Sequence, residues 1–220
     1  MIRGFQQTLF FIMPLTSAQG YKIREEYSDI KEKAICDAHG LKQIGGSRTK
    51  VDGTSGDVSK SIKNASGCST QVHLTTQKHF IETLNIVGDA AEFIKHFCGN
   101  SDYDYKGRDR RFITEIEIRY TESFKEFLDN NKREIVDLII RNGFDITHVV
   151  YNDIKNNVEY ELTYEKILDK IEDAEWKFIR GGIHLKVGKK TLFHFQREGK
   201  KKLSNRYNVL WHIHRNLFTC

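Results

Sequence analysis

Proline is almost absent from this chain: Pro14 is the only one among 220 residues. A proline-rich linker is therefore excluded, and no shift in composition marks a domain boundary. Cysteine is scarce and scattered. Cys36, Cys68, Cys98 and Cys220 form no CxxC pair, which removes the zinc-ribbon and thioredoxin-like readings. They read as separate reduced thiols of a cytoplasmic protein; two disulfides of a secreted domain are the weaker alternative. No stretch approaches the roughly 20 apolar residues of a membrane-spanning helix, so no membrane partner is expected. Internal repeats and low-complexity tracts are also missing. Gly45-Gly46 lacks the Gly-Lys-Ser/Thr ending of a nucleotide-binding loop, and no Gly-x-Ser-x-Gly elbow argues for serine-hydrolase chemistry.

What is present reads as a soluble globular protein. The chain is 39% hydrophobic and 30% charged, and its length suits a single domain spanning residues 1–220 with an ample core. The net charge of +5 is unevenly placed. Between Gln196 and Arg215, the cations Arg197, Lys200, Lys201, Lys202, Arg206 and Arg215 face Glu198 alone, so this segment carries the entire +5. Concentrated positive charge points to a polyanionic partner. At the other end, Leu9-Phe10-Phe11-Ile12-Met13 with Thr16-Ser17-Ala18 loosely imitates a secretory signal. The run is short, contains Pro14 and follows Gln6-Gln7-Thr8. A strand or helix packed on the core is the expectation there.

The hydrophobic pattern predicts an amphipathic helix over 21–38, with Ile23, Tyr27, Ile30, Ala34 and Ala38 as its buried stripe and His39-Gly40 as its stop. A short strand at 41–44 follows. A hairpin then spans Lys50 to Asn64, and 70–74 alternates as a further strand with Val72 inward. One helix is expected from about 75 to 97, and another from a Thr121 cap to Asn142-Gly143. Residues 146–151 and 158–162 read as strands, with a short helix from Thr163. The tail is strand-rich (176–179, 183–187, 191–196 and 207–213), its last two strands pairing around the lysine-rich loop. Helices alternating with strand clusters predict an α/β or α+β fold.

The hairpin carries the chemistry. Lys50-Val51-Asp52-Gly53 and Ser61-Ile62-Lys63-Asn64 flank the turn at Thr54-Ser55-Gly56. Because side chains alternate along a strand, Val51 and Ile62 are expected in a core, with Asp52, Ser61 and Lys63 sharing the opposite polar face. An anionic oxygen beside an ammonium is what metal-assisted phosphodiester hydrolysis requires.

The order of these residues resembles the PD-(D/E)xK, restriction-endonuclease-like nuclease superfamily. It is most similar to type II restriction enzymes whose second acidic position has become polar. Residues 21–97 match the catalytic core in order of elements, and 175–215, with Phe193-His194-Phe195-Gln196-Arg197, look like the late DNA-binding part. The resemblance implies a central mixed β-sheet flanked by helices. It makes Asp52 a Mg2+ ligand, Lys63 the catalytic cation, and Ser61 the occupant of the second carboxylate's place. Either a single metal is held, or a carboxylate arrives from elsewhere. Glu26 is the first candidate for that role and Asp57 the second.

Around this centre, Gln71 and His73 are expected to support the site or touch DNA. Arg197, Lys200, Lys201, Lys202 and Arg206 are expected to grip phosphates. His212 and His214 form a His-x-His, read as DNA-facing or edge-strand residues in the absence of a further zinc ligand nearby. The whole predicts a Mg2+-dependent endonuclease acting on double-stranded DNA, working as a homodimer when both strands are cut. A non-catalytic nucleic-acid-binding protein on the same scaffold is the alternative.

Overall fold

The structure, a computed structural model, describes residues 30–44, 49–102, 104–179, 181–197 and 207–219. The expectations for the N-terminal apolar run, Gly45-Gly46, Glu26, Lys200, Lys201, Lys202, Arg206 and Cys220 lie outside these residues. The fold is mixed α+β. Helix α1 (Ile30–Ala38) leads to β1 (Lys42–Gln43), β2 (Gly53–Ser55), β3 (Val58–Ala65) and β4 (Ser69–Thr76). Then come α2 (Gln77–Thr83), α3 (Gly88–Cys98), a 3-10 turn at Ile113–Glu115, α4 (Ile118–Asn130) and α5 (Lys132–Ile140). The second half runs β5 (His148–Asp153), β6 (Val158–Thr163), α6 (Tyr164–Glu172), β7 (Glu175–Ile179), β8 (Gly182–Val187), β9 (Lys190–Arg197), β10 (Asn208–His214) and α7 (Asn216–Thr219).

Two five-stranded sheets result, ordered β1-β2-β3-β5-β6 and β4-β10-β9-β8-β7. The first is mixed, because β3 and β5 run parallel, Ser61 beside Val149 and Lys63 beside Tyr151. The second is antiparallel throughout and holds the strand-rich tail. Strand β4 ties the halves together: it follows β3 in the chain but pairs with β10. One buried cluster joins both sheets and the helices, with Phe80, Phe93, Phe97, Phe124, Phe195 and Trp211 among its largest members.

Three expectations are corrected. The buried face of α1 is Ile35 and Cys36, whereas Ile30 is 61% exposed and Ala34 and Ala38 face solvent. The short sheet-facing patch selects a face centred about 150° around the helix from the predicted stripe. The helix expected over 75–97 is broken after Leu84. Asn85 takes φ +48°, Asn85 N–H donates to the Glu82 carbonyl and Ile86 N–H to that of Ile81, a left-handed cap that terminates α2. The next helix begins at Ile118, not at a Thr121 cap, and is interrupted at Asn131 before ending, as expected, ahead of Asn142-Gly143.

Candidate active site

The polar centre is built by the hairpin of β2 and β3, whose turn is corrected from Thr54-Ser55-Gly56 to Gly56-Asp57 because Thr54 and Ser55 pair with Ser59 and Val58. Gly56 takes φ +55°, a conformation glycine adopts without strain. Gly53 is required for a second reason. A Cβ there would lie 2.8 Å from Cys36 Sγ and 3.1 Å from Leu41 Cβ, so the strand can approach α1 only without a side chain. This close approach holds the backbone of Asp52, whose N–H donates to the Lys60 carbonyl at 2.9 Å and whose carbonyl accepts from Ile44 N–H at 3.0 Å and Cys36 Sγ at 3.6 Å.

Asp52, Ser61 and Lys63 converge. Asp52 Oδ2 accepts from Ile62 N–H at 2.5 Å and from the Ser61 hydroxyl at 3.4 Å, and lies 3.5 Å from Lys63 Nζ. The side chains of Lys63 and Asp52 are only 18% and 12% exposed, and Ser61 is buried. All three donors address one oxygen. Among the described residues Asp52 Oδ1 accepts no hydrogen bond. The expected division of faces is corrected here. Val51 belongs to the large core, but Ile62 points the other way, into a small cluster with Ile35, Cys36, Leu41 and Val150. The polar trio therefore sits on the inner side of the sheet, beside Val149 and Tyr151, rather than on an outer surface.

Lys50 completes the centre, in a role that no sequence motif announces. Its Nζ donates to the Val72 carbonyl at 2.6 Å, the Ile139 carbonyl at 2.8 Å and His73 Nδ1 at 3.3 Å. An ammonium has three hydrogens, and all are engaged. The Ile139 carbonyl belongs to the last turn of α5, where helix carbonyls lack partners and favour a cation. Burial, followed by the charge of Lys63, pushes Lys50 down to about 7, and Asp52 opposes the shift. Because its acceptors come from residues far along the chain, no local pattern marks this lysine.

His73 is turned inward by a bulge. In β4 Trp211 faces His73 and His212 faces Gln71, leaving Val72 as the extra residue. Val72 and His73 are consequently both buried. Burial first, then Lys50, lowers His73 to about 4. With Nδ1 accepting from Lys50, the neutral ring carries its proton on Nε2, which is buried and meets no partner among the described residues. A DNA-touching role for His73 is therefore corrected to support of Lys50. Gln71 and His212 lie on the opposite, outer face of the second sheet, so the structure does not bring them to Asp52.

That outer face holds a row of histidines. His194 Nδ1 lies 2.7 Å from His214 Nε2, and its ring stacks 4.4 Å from His212 and 5.2 Å from His184. Burial above all lowers His184, His212 and His214 to about 4. The His-x-His pair of the sequence is thus half of a four-member row, assembled by the register of β8, β9 and β10.

The acidic candidates are distributed as follows. Asp57 is exposed in the turn, four residues from Ser61 and so about 13 Å along the strand, with no contact to Asp52. Asp153, on the same inner face as Lys63, is held by Arg215 Nη1 at 2.6 Å and Asn156 Nδ2 at 2.7 Å. Among the described residues no group of three His, Cys, Asp or Glu side chains is placed to hold a metal ion. The set available to a divalent cation is one carboxylate with an unengaged oxygen and a neighbouring hydroxyl. That suits Mg2+, which commonly keeps several waters and takes one or two protein carboxylates plus substrate phosphate.

Two members of the basic segment are directed inward. Arg197 Nη1 donates to the carbonyls of Phe97 at 3.1 Å and Arg111 at 2.5 Å, with its guanidinium over Phe97 and Phe112. Arg215 is committed to Asp153. The expectation that Arg197 grips phosphate is corrected to a structural strut. Cys36, Cys68 and Cys98 are free thiols, and burial pushes Cys98 up to about 12. No described helix is long and apolar enough to cross a membrane.

No family model matches this chain, and no curated protein matches it in sequence. Among solved structures, the crystal structure of restriction endonuclease MspI in complex with its cognate DNA superposes with a TM-score of 0.48 at 10% identity, covering 89% of this chain and 82% of that one. A superposition of that quality carries no weight for function, which has to be read from the side chains.

Proposed function

We propose that the protein is a Mg2+-dependent endonuclease that hydrolyses phosphodiester bonds in double-stranded DNA. The observation that supports this reading best is the largely buried Asp52–Lys63 pair, 3.5 Å apart, with Ser61 and Ile62 N–H fixing the same carboxylate oxygen. Asp52 would hold Mg2+ through the oxygen those donors leave open. A bound Mg2+ would neutralise charge on the scissile phosphate and acidify the attacking water. Lys63 would orient that water and stabilise the charge developing on the phosphate oxygens. Ser61 and Ile62 N–H keep Asp52 oriented, and the Lys50 clamp keeps the strand entering Asp52 in place. Type II restriction activity and a homodimer arranged to cut both strands belong to the same proposal.

Incubation with supercoiled plasmid, with Mg2+ and with a chelator, tests this reading. Nicked or linear product is expected only with Mg2+, and Lys63→Ala and Asp52→Asn should each lower the rate by at least about 100-fold, the scale of losing a transition-state charge contact. Salt-sensitive DNA binding without cleavage under any metal would replace this reading with that of a non-catalytic DNA-binding protein.

A further inference from the structure

A second cationic site lies on the loop between α3 and α4. Tyr105 and Arg108 exchange backbone hydrogen bonds, Tyr105 N–H to the Arg108 carbonyl at 2.7 Å and the reverse at 3.3 Å. The two residues between them, Lys106 and Gly107, have φ of +59° and +76°. Asp104 Oδ1 accepts from Gly107 N–H at 2.6 Å and braces the turn. Lys106 is thereby presented at an exposed tip. Together with Asp104, Tyr105, Arg108, Arg111 and Glu115 it lines a pocket of about 330 Å3.

Most arginines of this loop have carboxylate partners. Arg108 pairs with Glu115 at 2.8 Å and Arg110 with Asp109 at 3.0 Å. Arg111 differs. Its guanidinium lies 3.8 Å over the Tyr105 ring and, among the described residues, meets no hydrogen-bond acceptor, although the residue is half-buried. It is also firmly anchored. Its N–H donates to the His96 carbonyl at 2.8 Å, and its own carbonyl accepts from Arg197.

Tyr105 is fixed in turn by the contact of its hydroxyl with His96 Nδ1. Burial first, then the charge of Arg111, lowers the His96 pKa. A guanidinium held flat, with its edge donors open and a lysine across the pocket, matches the oxygens of a phosphate. The ends of the basic segment are rooted alongside. Arg197 bonds the Arg111 carbonyl, and the Arg110 guanidinium lies 6.0 Å from the Tyr207 ring, so Arg197 and Tyr207 both sit beside this pocket.

We propose that Arg111 and Lys106 form a pocket for one phosphate of a nucleic-acid strand, separate in residues from the Asp52 centre. The choice of nucleic acid as the phosphate's carrier rests on the function proposed above. The test measures binding of a labelled DNA duplex to the full chain in chelator, as a function of salt. Arg111→Gln should raise Kd about tenfold and reduce the slope of log Kd against log salt by about one, as expected for the loss of one phosphate contact. Arg111→Lys should recover part of the affinity.

Because Arg111 also packs on Tyr105, Lys106→Asn serves as the second variant. Asparagine tolerates a positive φ, so the turn is kept while the charge is lost. It should weaken binding severalfold at an unchanged melting temperature. Unaltered Kd and slope in both variants, with the wild type binding DNA, would overturn the pocket and leave the nuclease reading intact. Failure of the wild type to bind any duplex would overturn both. Inorganic phosphate that binds the wild type and is lost in Arg111→Gln, without effect on duplex affinity, would assign the pocket to a small phosphate ligand and overturn the nucleic-acid proposal.

Discussion

The Asp52 centre and the histidine row are both polar clusters on β-sheets, yet they are built in opposite ways. In the first, the reactive pair comes from two adjacent strands joined by a two-residue turn, and Lys50, two residues from Asp52, braces it by reaching His73 and carbonyls from distant parts of the chain. In the second, four similar side chains gather from three strands. One cluster keeps charges in a buried place by giving each a partner, the arrangement that burial demands. The other keeps its members neutral, since burial lowers their pKa values. The difference separates a cluster suited to moving charge from one suited to filling a half-buried sheet face.

Asp52→Asn provides the largest break in that comparison. It should abolish Mg2+-dependent plasmid cleavage, while His212→Asn should leave the rate within about twofold, if transition-state electrostatics reside in the first cluster alone. Comparable losses from the two variants would join the clusters functionally and undo the contrast.

Lys50→Met comes next. The substitution leaves two buried carbonyls and His73 Nδ1 without their donor, and denaturant unfolding should register a loss of about 3 kcal/mol. A change below about 1 kcal/mol would mean that Lys50 is not the brace of the site.

A smaller effect distinguishes the histidines by pH. His184, His212 and His214 titrate at about 4 when folded, below the ordinary 6.5, so only the unfolded chain takes up protons between those values. Their neutral state therefore stabilises the fold above about pH 6.5, and that contribution is lost as pH falls towards 4. His73 adds to the slope with the same sign. A His212→Gln/His214→Gln variant should flatten the decline in stability across that window more than His73→Gln does. The reverse order would shift the acid sensitivity to the Asp52 side.

The smallest expected effect belongs to Ser61→Ala. Its hydroxyl lies 3.4 Å from Asp52, a long hydrogen bond, and stability should change by no more than about 1 kcal/mol.

How far these features could be read in advance follows from the range of the interactions that make them. The Thr163 cap and the stop at Asn142-Gly143 are encoded within a few residues, and the sequence reading found them, as it found the β9–β10 pairing. It found the β2–β3 hairpin as well but set its turn at Thr54-Ser55-Gly56, two residues that pair in β2 and the first of the true turn. Asp52 and Lys63 were legible for the same reason, because their strands are neighbours in the chain. The break at Asn85 was written locally too, but the apolar periodicity continuing from Phe80 to Phe97 concealed it. Lys50 as a brace, the inward turn of His73 and the histidine row were not legible. Each depends on a register or bulge set by partners many residues away. The buried face of α1 failed on the same ground, since a sheet chose it rather than the helix's own pattern.

The parallel pairing of β3 with β5 has a consequence in time. The β2–β3 hairpin can close early, since its ends are adjacent in the chain. Its neighbour β5 arrives only after residues 66–147, which include β4 and four helices, have been gathered in. Pairings of such high sequence separation form late and slowly. During refolding, Asp52 and Lys63 should therefore meet while still wet, and the burial of Ser61 against Val149 should come with the final, slower phase.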